Sequence, residues 1–184
     1  HVSTDYVFDG TASRPYEPSD PTGPQTAYGR TKLAGETAAL AHGGGYVVRS
    51  AWVYGGPGPN FVDTMLRLAA ERPSVDVVSD QVGSPTYVRD LAGALVELGS
   101  SAVRSGVVLH YANSGTASWF DLAQEVFRAA RLDPGRVGAV SSAQFVRPAP
   151  RPAWSVLSSA AWTALGLTAP RDWRAAVRDY VANR

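Results

Sequence analysis

Short apolar runs rich in β-branched residues alternate along this chain with longer segments that read as helices, and this rhythm constrains the fold more than any other feature. Residues 46–50, 75–78 and 107–111 have the character of buried strands, and residues 26–41, 60–71, 88–98 and 118–131 that of helices. Strands separated by helices pair in parallel, because each crossover returns the chain to the same end of the sheet. The punctuation agrees. Thr26 can cap the first helix and Gly43-Gly44-Gly45 stops it. The second helix carries Phe61, Met65, Leu66 and Leu68 on an apolar face, and the third has Asp90 in its first turn, where the helix dipole favours an acid. A short opening strand leads into Asp5-Tyr6-Val7-Phe8 as a strand end, followed by a long Gly/Pro/Ser/Asp loop to Gln25. Loops of that length are functional or disordered. Residues 80–87 read as a loop, 147–152 as a Pro/Arg-rich connection, and 158–165 and 171–181 as short closing helices. The class is α/β.

Composition then removes several function classes. With 184 residues, 45% of them hydrophobic, the chain has material for one domain or slightly more. Seventeen Lys and Arg against sixteen Asp and Glu leave a formal charge of +1 with no block of one sign, so neither nucleic acid nor a membrane surface is an expected partner. There is no cysteine, and His1, His42 and His110 lack ligand spacing, so no metal site is expected. No run reaches the roughly 20 apolar residues of a transmembrane helix. A cytoplasmic location is the default expectation. The chain starts at His1 and its only methionine is Met65, which leads us to expect a preceding segment.

The chemistry-bearing pattern is Tyr28-x-x-x-Lys32. Four residues apart on a helix, both side chains leave one face about one turn apart. An ammonium beside a phenol favours the phenolate, which suits tyrosine to general acid–base work on a carbonyl. The same spacing arises on ordinary surface helices, where the lysine is solvated and the tyrosine packs at the core edge. Ser3-Thr4-Asp5, at the end of a strand, supplies a hydroxyl for the same carbonyl oxygen, and Gly29 removes a side chain next to Tyr28. No Gly-x-Gly-x-x-Gly or Gly-x-x-Gly-x-x-Gly turn joins a strand to a helix, and Pro57 interrupts the glycines at 55–58. A dinucleotide phosphate site is therefore not expected within these residues.

Four segments in order resemble the motifs of one family: Ser3-Thr4-Asp5-Tyr6-Val7-Phe8-Asp9-Gly10, Tyr28-Gly29-Arg30-Thr31-Lys32, Arg49-Ser50-Ala51-Trp52-Val53-Tyr54-Gly55 and Asp80-Gln81-Val82-Gly83-Ser84-Pro85-Thr86. They are similar to the dTDP-4-dehydrorhamnose reductases, extended short-chain dehydrogenases/reductases, and the likeness loosens after about Val137. The resemblance implies the C-terminal part of a Rossmann-like doubly wound parallel sheet plus a smaller α/β substrate-binding domain. Residues 1–56 would end the dinucleotide-binding domain, and 57–184 would be mainly substrate-binding, with some segments returning to the sheet. The implied reaction is NADPH- or NADH-dependent reduction of the 4-keto group of dTDP-6-deoxy-L-lyxo-4-hexulose to dTDP-L-rhamnose. The family's upstream glycine-rich turn is absent, so the 184 residues alone are expected to be inactive.

The resemblance assigns catalysis to Thr4, Tyr28 and Lys32. It implies cofactor contacts from Ser3, Tyr28, Lys32, Ser50 and Trp52. Substrate contacts fall on Thr4, Asp5, Tyr6, Tyr28, Trp52, Asn60, Phe61, Gln81, Pro85, Thr86 and Arg151. Each has a plain alternative: core packing for Trp52, a helix cap for Asn60, an ordinary turn for residues 81–86 and a surface charge for Arg151. The partner implied is a dTDP-linked keto-sugar, and a homodimer is compatible with it. Among rival activities, dehydratases carry an Asp-Glu pair after the threonine, where Asp5-Tyr6 stands here. Epimerases share the Tyr/Lys pair, and the regulatory subunit of methionine adenosyltransferase resembles the family as a non-enzymatic partner.

Overall fold

A computed structural model describes residues 1–144 and 151–184. The elements in order are β1 (Val2–Thr4), α1 (Ala27–Ala41), β2 (Val47–Ser50), β3 (Val53–Tyr54), α2 (Phe61–Glu71), β4 (Val75–Val78), β5 (Val82–Gly83), β6 (Thr86–Tyr87), α3 (Val88–Ser100), β7 (Val108–His110), β8 (Ala117–Ser118), α4 (Trp119–Ala129), β9 (Val137–Val140), α5 (Ala160–Ala164) and α6 (Trp173–Ala182). Of the expected connection at 147–152, residues 147–150 lie outside the described residues.

Strands β1, β2 and β7 form a parallel sheet in that order, with Thr4 opposite Ser50 and Val48 opposite Leu109. Successive side chains of a strand face opposite ways. Val48 and Leu109 pack with Leu91, Ala94 and Leu98 of α3 and Trp162 of α5, whereas Arg49 turns to Glu36 of α1. A second core gathers around α4, whose Leu122, Ala123, Val126 and Phe127 are buried with Val62 and Met65 of α2 and Trp173 and Val177 of α6. The parallel pair β4–β9 closes that body. Arg136 sews it together by donating to the carbonyls of Ala69 at 2.7 Å and Pro73 at 2.8 Å. The first of these satisfies a backbone acceptor that the end of α2 leaves open.

Helix α1 starts where Thr26 accepts from the Gly29 N–H at 3.0 Å, and α4 where Ser118 and Asp121 form a reciprocal capping box. Three local expectations change. Asp5–Val7 is a turn of 3-10 helix rather than a strand end, because the Thr4 hydroxyl caps it by accepting from the Tyr6 N–H at 3.3 Å. The loop at 80–87 contains β5, paired with β8, and β6, paired with β3. Strand β9 was not foreseen: its sequence, Val-Gly-Ala-Val, carries little side-chain signal. The long loop before α1 is ordered by Tyr16, whose ring stacks on Phe8 and whose hydroxyl accepts from the Gly10 and Thr11 N–H groups at 3.0 Å each. Among the described residues, no helix is long and apolar enough to cross a membrane.

Candidate active site

Open parallel sheets present ligand sites beyond the carboxyl ends of their strands, and here a cleft of about 450 Å³ opens past the ends of β1 and β2. Thr4 reaches it as the last residue of β1, and Tyr28 and Lys32 from the first turns of α1. Gly29 is what lets α1 approach so closely: a Cβ there would collide with the Tyr6 carbonyl oxygen and stand 2.9 Å from Pro24 Cβ. Lys32 Nζ donates to the Val2 carbonyl at 2.5 Å, which leaves two of its three donors for other partners. Tyr28 is 55% exposed, and its ring meets Tyr6 edge-on at 5.8 Å.

Thr4 donates to Asp5 Oδ1 at 3.0 Å. Asp5 is buried, and its Oδ2 has no hydrogen-bond partner among the described residues. Burial, opposed by the neighbouring Ser155 and Thr4 hydroxyls, pushes the Asp5 pKa up to about 6. Ser3 also lines the cleft and gives its hydroxyl proton to Glu36. Ser50 Oγ donates to Thr86 Oγ1 at 3.4 Å.

The far wall is aromatic. Trp52 has φ of +47°, a left-handed conformation that costs a non-glycine residue about 1–3 kcal/mol. Three contacts hold it there: its carbonyl accepts from the Thr86 N–H at 3.2 Å, its ring covers Gly83, where a Cβ would strike the indole, and it stacks on Trp119 with ring centroids 3.6 Å apart. Arg151 lies over Trp119 at 5.7 Å and lines the same cleft.

The structure thus brings Ser3, Thr4, Asp5, Tyr6, Tyr28, Lys32, Ser50, Trp52 and Arg151 to one cleft. Five other candidates stand apart from its lining. Asn60 caps α2 by accepting from the Asp63 N–H at 3.0 Å. Phe61 lies 4.8 Å from Trp119. Gln81 is partly exposed, and Pro85 and Thr86 are buried, with the Thr86 N–H donating to the Trp52 carbonyl. Sequence reasoning missed Trp119. The signal available was the Ser118-x-x-Asp121 box, which places this tryptophan at a helix start, but nothing local to it points to Trp52.

A sequence profile described as the RmlD substrate binding domain matches residues 1–184. The chain belongs to the RmlD substrate-binding-domain family. Within the family's neighbourhood, the dTDP-4-dehydrorhamnose reductase of Mycobacterium tuberculosis strain H37Rv is 56% identical over 188 residues, covering 99% of this chain and 62% of that protein. The dTDP-4-keto-6-deoxy-D-glucose reductase of Streptomyces niveus is 48% identical over 181 residues, covering 96% and 62%. The crystal structure of dTDP-4-dehydrorhamnose reductase from Bacillus anthracis in complex with NADP matches with a TM-score of 0.93 at 34% identity, covering 100% of this chain and 65% of that one. The chain therefore spans 62% of the length of these two curated relatives.

Proposed function

We propose that this chain is the catalytic and sugar-binding part of an NADPH- or NADH-dependent reductase that converts the 4-keto group of dTDP-6-deoxy-L-lyxo-4-hexulose to the hydroxyl of dTDP-L-rhamnose. The observation that carries the reading is the convergence of Thr4, Tyr28 and Lys32 on one cleft walled by Trp52 and Trp119. The names of the relatives support the substrate class. In this reading residues 1–56 supply the end of the cofactor domain, and most of 57–184 surrounds the sugar.

The donor set fits a nicotinamide nucleoside: hydroxyls on Thr4, Tyr28 and Ser50, an ammonium on Lys32, and the apolar Val2 and Ala51 beside them. Lys32, Tyr28, Ser50 and Trp52 would hold it, and when bound it supplies hydride to the keto carbon. Tyr28 gives its phenolic proton to the keto oxygen, so that hydride and proton together make the alcohol. Lys32, one turn away, stabilises the phenolate left behind. The Thr4 hydroxyl rotates from Asp5 toward the same oxygen and orients it. Trp52 offers a flat face for the hexose, and the Arg151 guanidinium suits the diphosphate.

The Streptomyces relative favours a second reading, in which a different 4-keto-6-deoxy sugar on dTDP is the substrate. The test is to join this chain to the part of the M. tuberculosis relative that lies outside the matched 62%, supply either keto-sugar nucleotide, and follow NADPH absorbance and the sugar product. Loss of absorbance with formation of dTDP-L-rhamnose is expected. No loss with either sugar would overturn the reading in favour of a non-catalytic partner. Gel filtration and cell fractionation check the homodimer and the cytoplasmic location that belong to the same proposal.

A further inference from the structure

Helix α1 carries two of the three proposed catalytic residues, yet its apolar contact is thin: its buried residues are Gly29 and Glu36, and Leu33 packs, partly buried, against the core around Val7 and Ala51. Apolar contact is non-directional in any case, so polar contacts are well placed to fix the position of this helix along its axis. Glu36 lies one turn beyond Lys32 and two beyond Tyr28 on the same face. It is 2% exposed, Arg49 on β2 is 4% exposed, and neither lines the cleft. Glu36 Oε1 accepts from Arg49 Nε at 2.9 Å and from the Ser3 hydroxyl, and Oε2 accepts from Arg49 Nη2 at 2.7 Å. Ser3 pairs with Arg49 across the sheet and directly precedes Thr4. One carboxylate therefore ties α1 to both strands that feed the cleft.

Arg49 is itself held from the other sides. Its Nη1 donates to the Pro18 carbonyl at 3.3 Å and stands 3.5 Å from His110 Nε2 on β7, and its guanidinium lies 4.9 Å from the Phe8 ring centroid. Burial, reinforced by Arg49, lowers the His110 pKa to about 3, so the imidazole is neutral and accepts at Nε2 while Nδ1 donates to the Tyr16 carbonyl at 3.0 Å. A buried ion pair is a poor source of stability, since apolar residues of similar volume often replace one without loss. Its value lies in direction.

We infer that the Glu36–Arg49 pair is a positioning latch that sets the register of α1 against β1 and β2, so that Tyr28 and Thr4 meet at one substrate oxygen. The inference rests on the proposed reductase chemistry and adds two residues to it. A helix rises about 1.5 Å per residue, and a misplacement of about 1 Å in a reacting group costs on the order of 10²-fold in rate.

The test uses the joined enzyme described above with two variants: the double substitution Glu36→Leu with Arg49→Met, and Arg49→Lys, which keeps the charge but loses the two-pronged geometry. For the double variant we expect an unchanged or higher melting midpoint, an unchanged KM for the keto-sugar, kcat lower by about 10- to 100-fold, and faster amide exchange across residues 27–36 with α3 unaffected. Arg49→Lys should show the same split between kcat and KM. Wild-type kcat in a folded double variant, or kcat and melting midpoint falling together, would overturn the latch, as would full activity in Arg49→Lys should the double variant not fold. If the wild-type enzyme reduces neither sugar, the reductase reading fails by itself; the latch is then judged by amide exchange, and unchanged protection of residues 27–36 overturns it.

Discussion

Replacing Gly29 by alanine sets two effects of opposite sign against each other. In an exposed helix interior, Gly→Ala stabilises by about 1 kcal/mol because the backbone loses less freedom on folding. At Gly29 the new Cβ would collide with the backbone oxygen of Tyr6 and come within 2.9 Å of Pro24 Cβ. Overpacking costs about 1–3 kcal/mol, and the upper end applies where the obstructing atom is backbone and cannot rotate away. The net loss is about 2 kcal/mol, equivalent to roughly 4–8 °C in melting midpoint for a chain of this size. Gly93, inside α3 with nothing within 4 Å of its Cβ position, is the control, and Gly93→Ala should stabilise by up to about 1 kcal/mol. Urea and thermal denaturation of both variants read the difference. Equal stabilisation in the two would refute the claim that α1 is seated against the Tyr6 carbonyl. The seating also has a functional consequence, because a displaced α1 carries Tyr28 with it.

Tyr28→Phe in the joined enzyme removes the proton donor and keeps the ring, so kcat should fall by on the order of 10²- to 10⁴-fold with KM little changed, and near-normal turnover would end the tyrosine-acid mechanism. Asp5→Asn tests the buried carboxyl: the folded pKa of about 6 lies above the ordinary aspartate value of 3.8, so its contribution is favourable at low pH and is lost as pH rises through about 6. The variant should therefore gain stability over wild type as pH rises from 3.8 to about 6 and lose that advantage in acid, and an equal difference at both ends of a pH series of urea denaturations would count against this. The 184 residues alone contain no glycine-rich strand-to-helix turn, so calorimetry should find weak or no NADPH binding, and micromolar affinity would place a pyrophosphate anchor where none is expected.

Much of this is legible in the sequence. The Thr26 cap, the glycine stop after α1 and the four-residue step from Tyr28 to Lys32 are local signals, decided by hydrogen bonds and helix geometry within a few residues. The alternation of strands and helices identified the parallel sheet for the same reason. What escaped has a common cause. Strands β5 and β6 are two residues long, too short for any periodicity, and exist through partners at 117–118 and 53–54. Strand β9 follows the same rule, its Gly138 fitting beside the Asp76 side chain of β4.

The sequence by itself determined the class, the sheet's direction and the face of α1 that carries the candidate pair Tyr28 and Lys32, because each depends on the order and spacing of neighbouring residues. Only the tertiary structure decided that Trp119 would stack on Trp52 at a strained backbone, that Asp5 would be buried beside Thr4, and that Arg49, a charge inside an apolar strand, would find Glu36. Those arrangements join residues from 1 to 67 positions apart, and their energies arise from desolvation and close packing, which do not exist until the chain has folded.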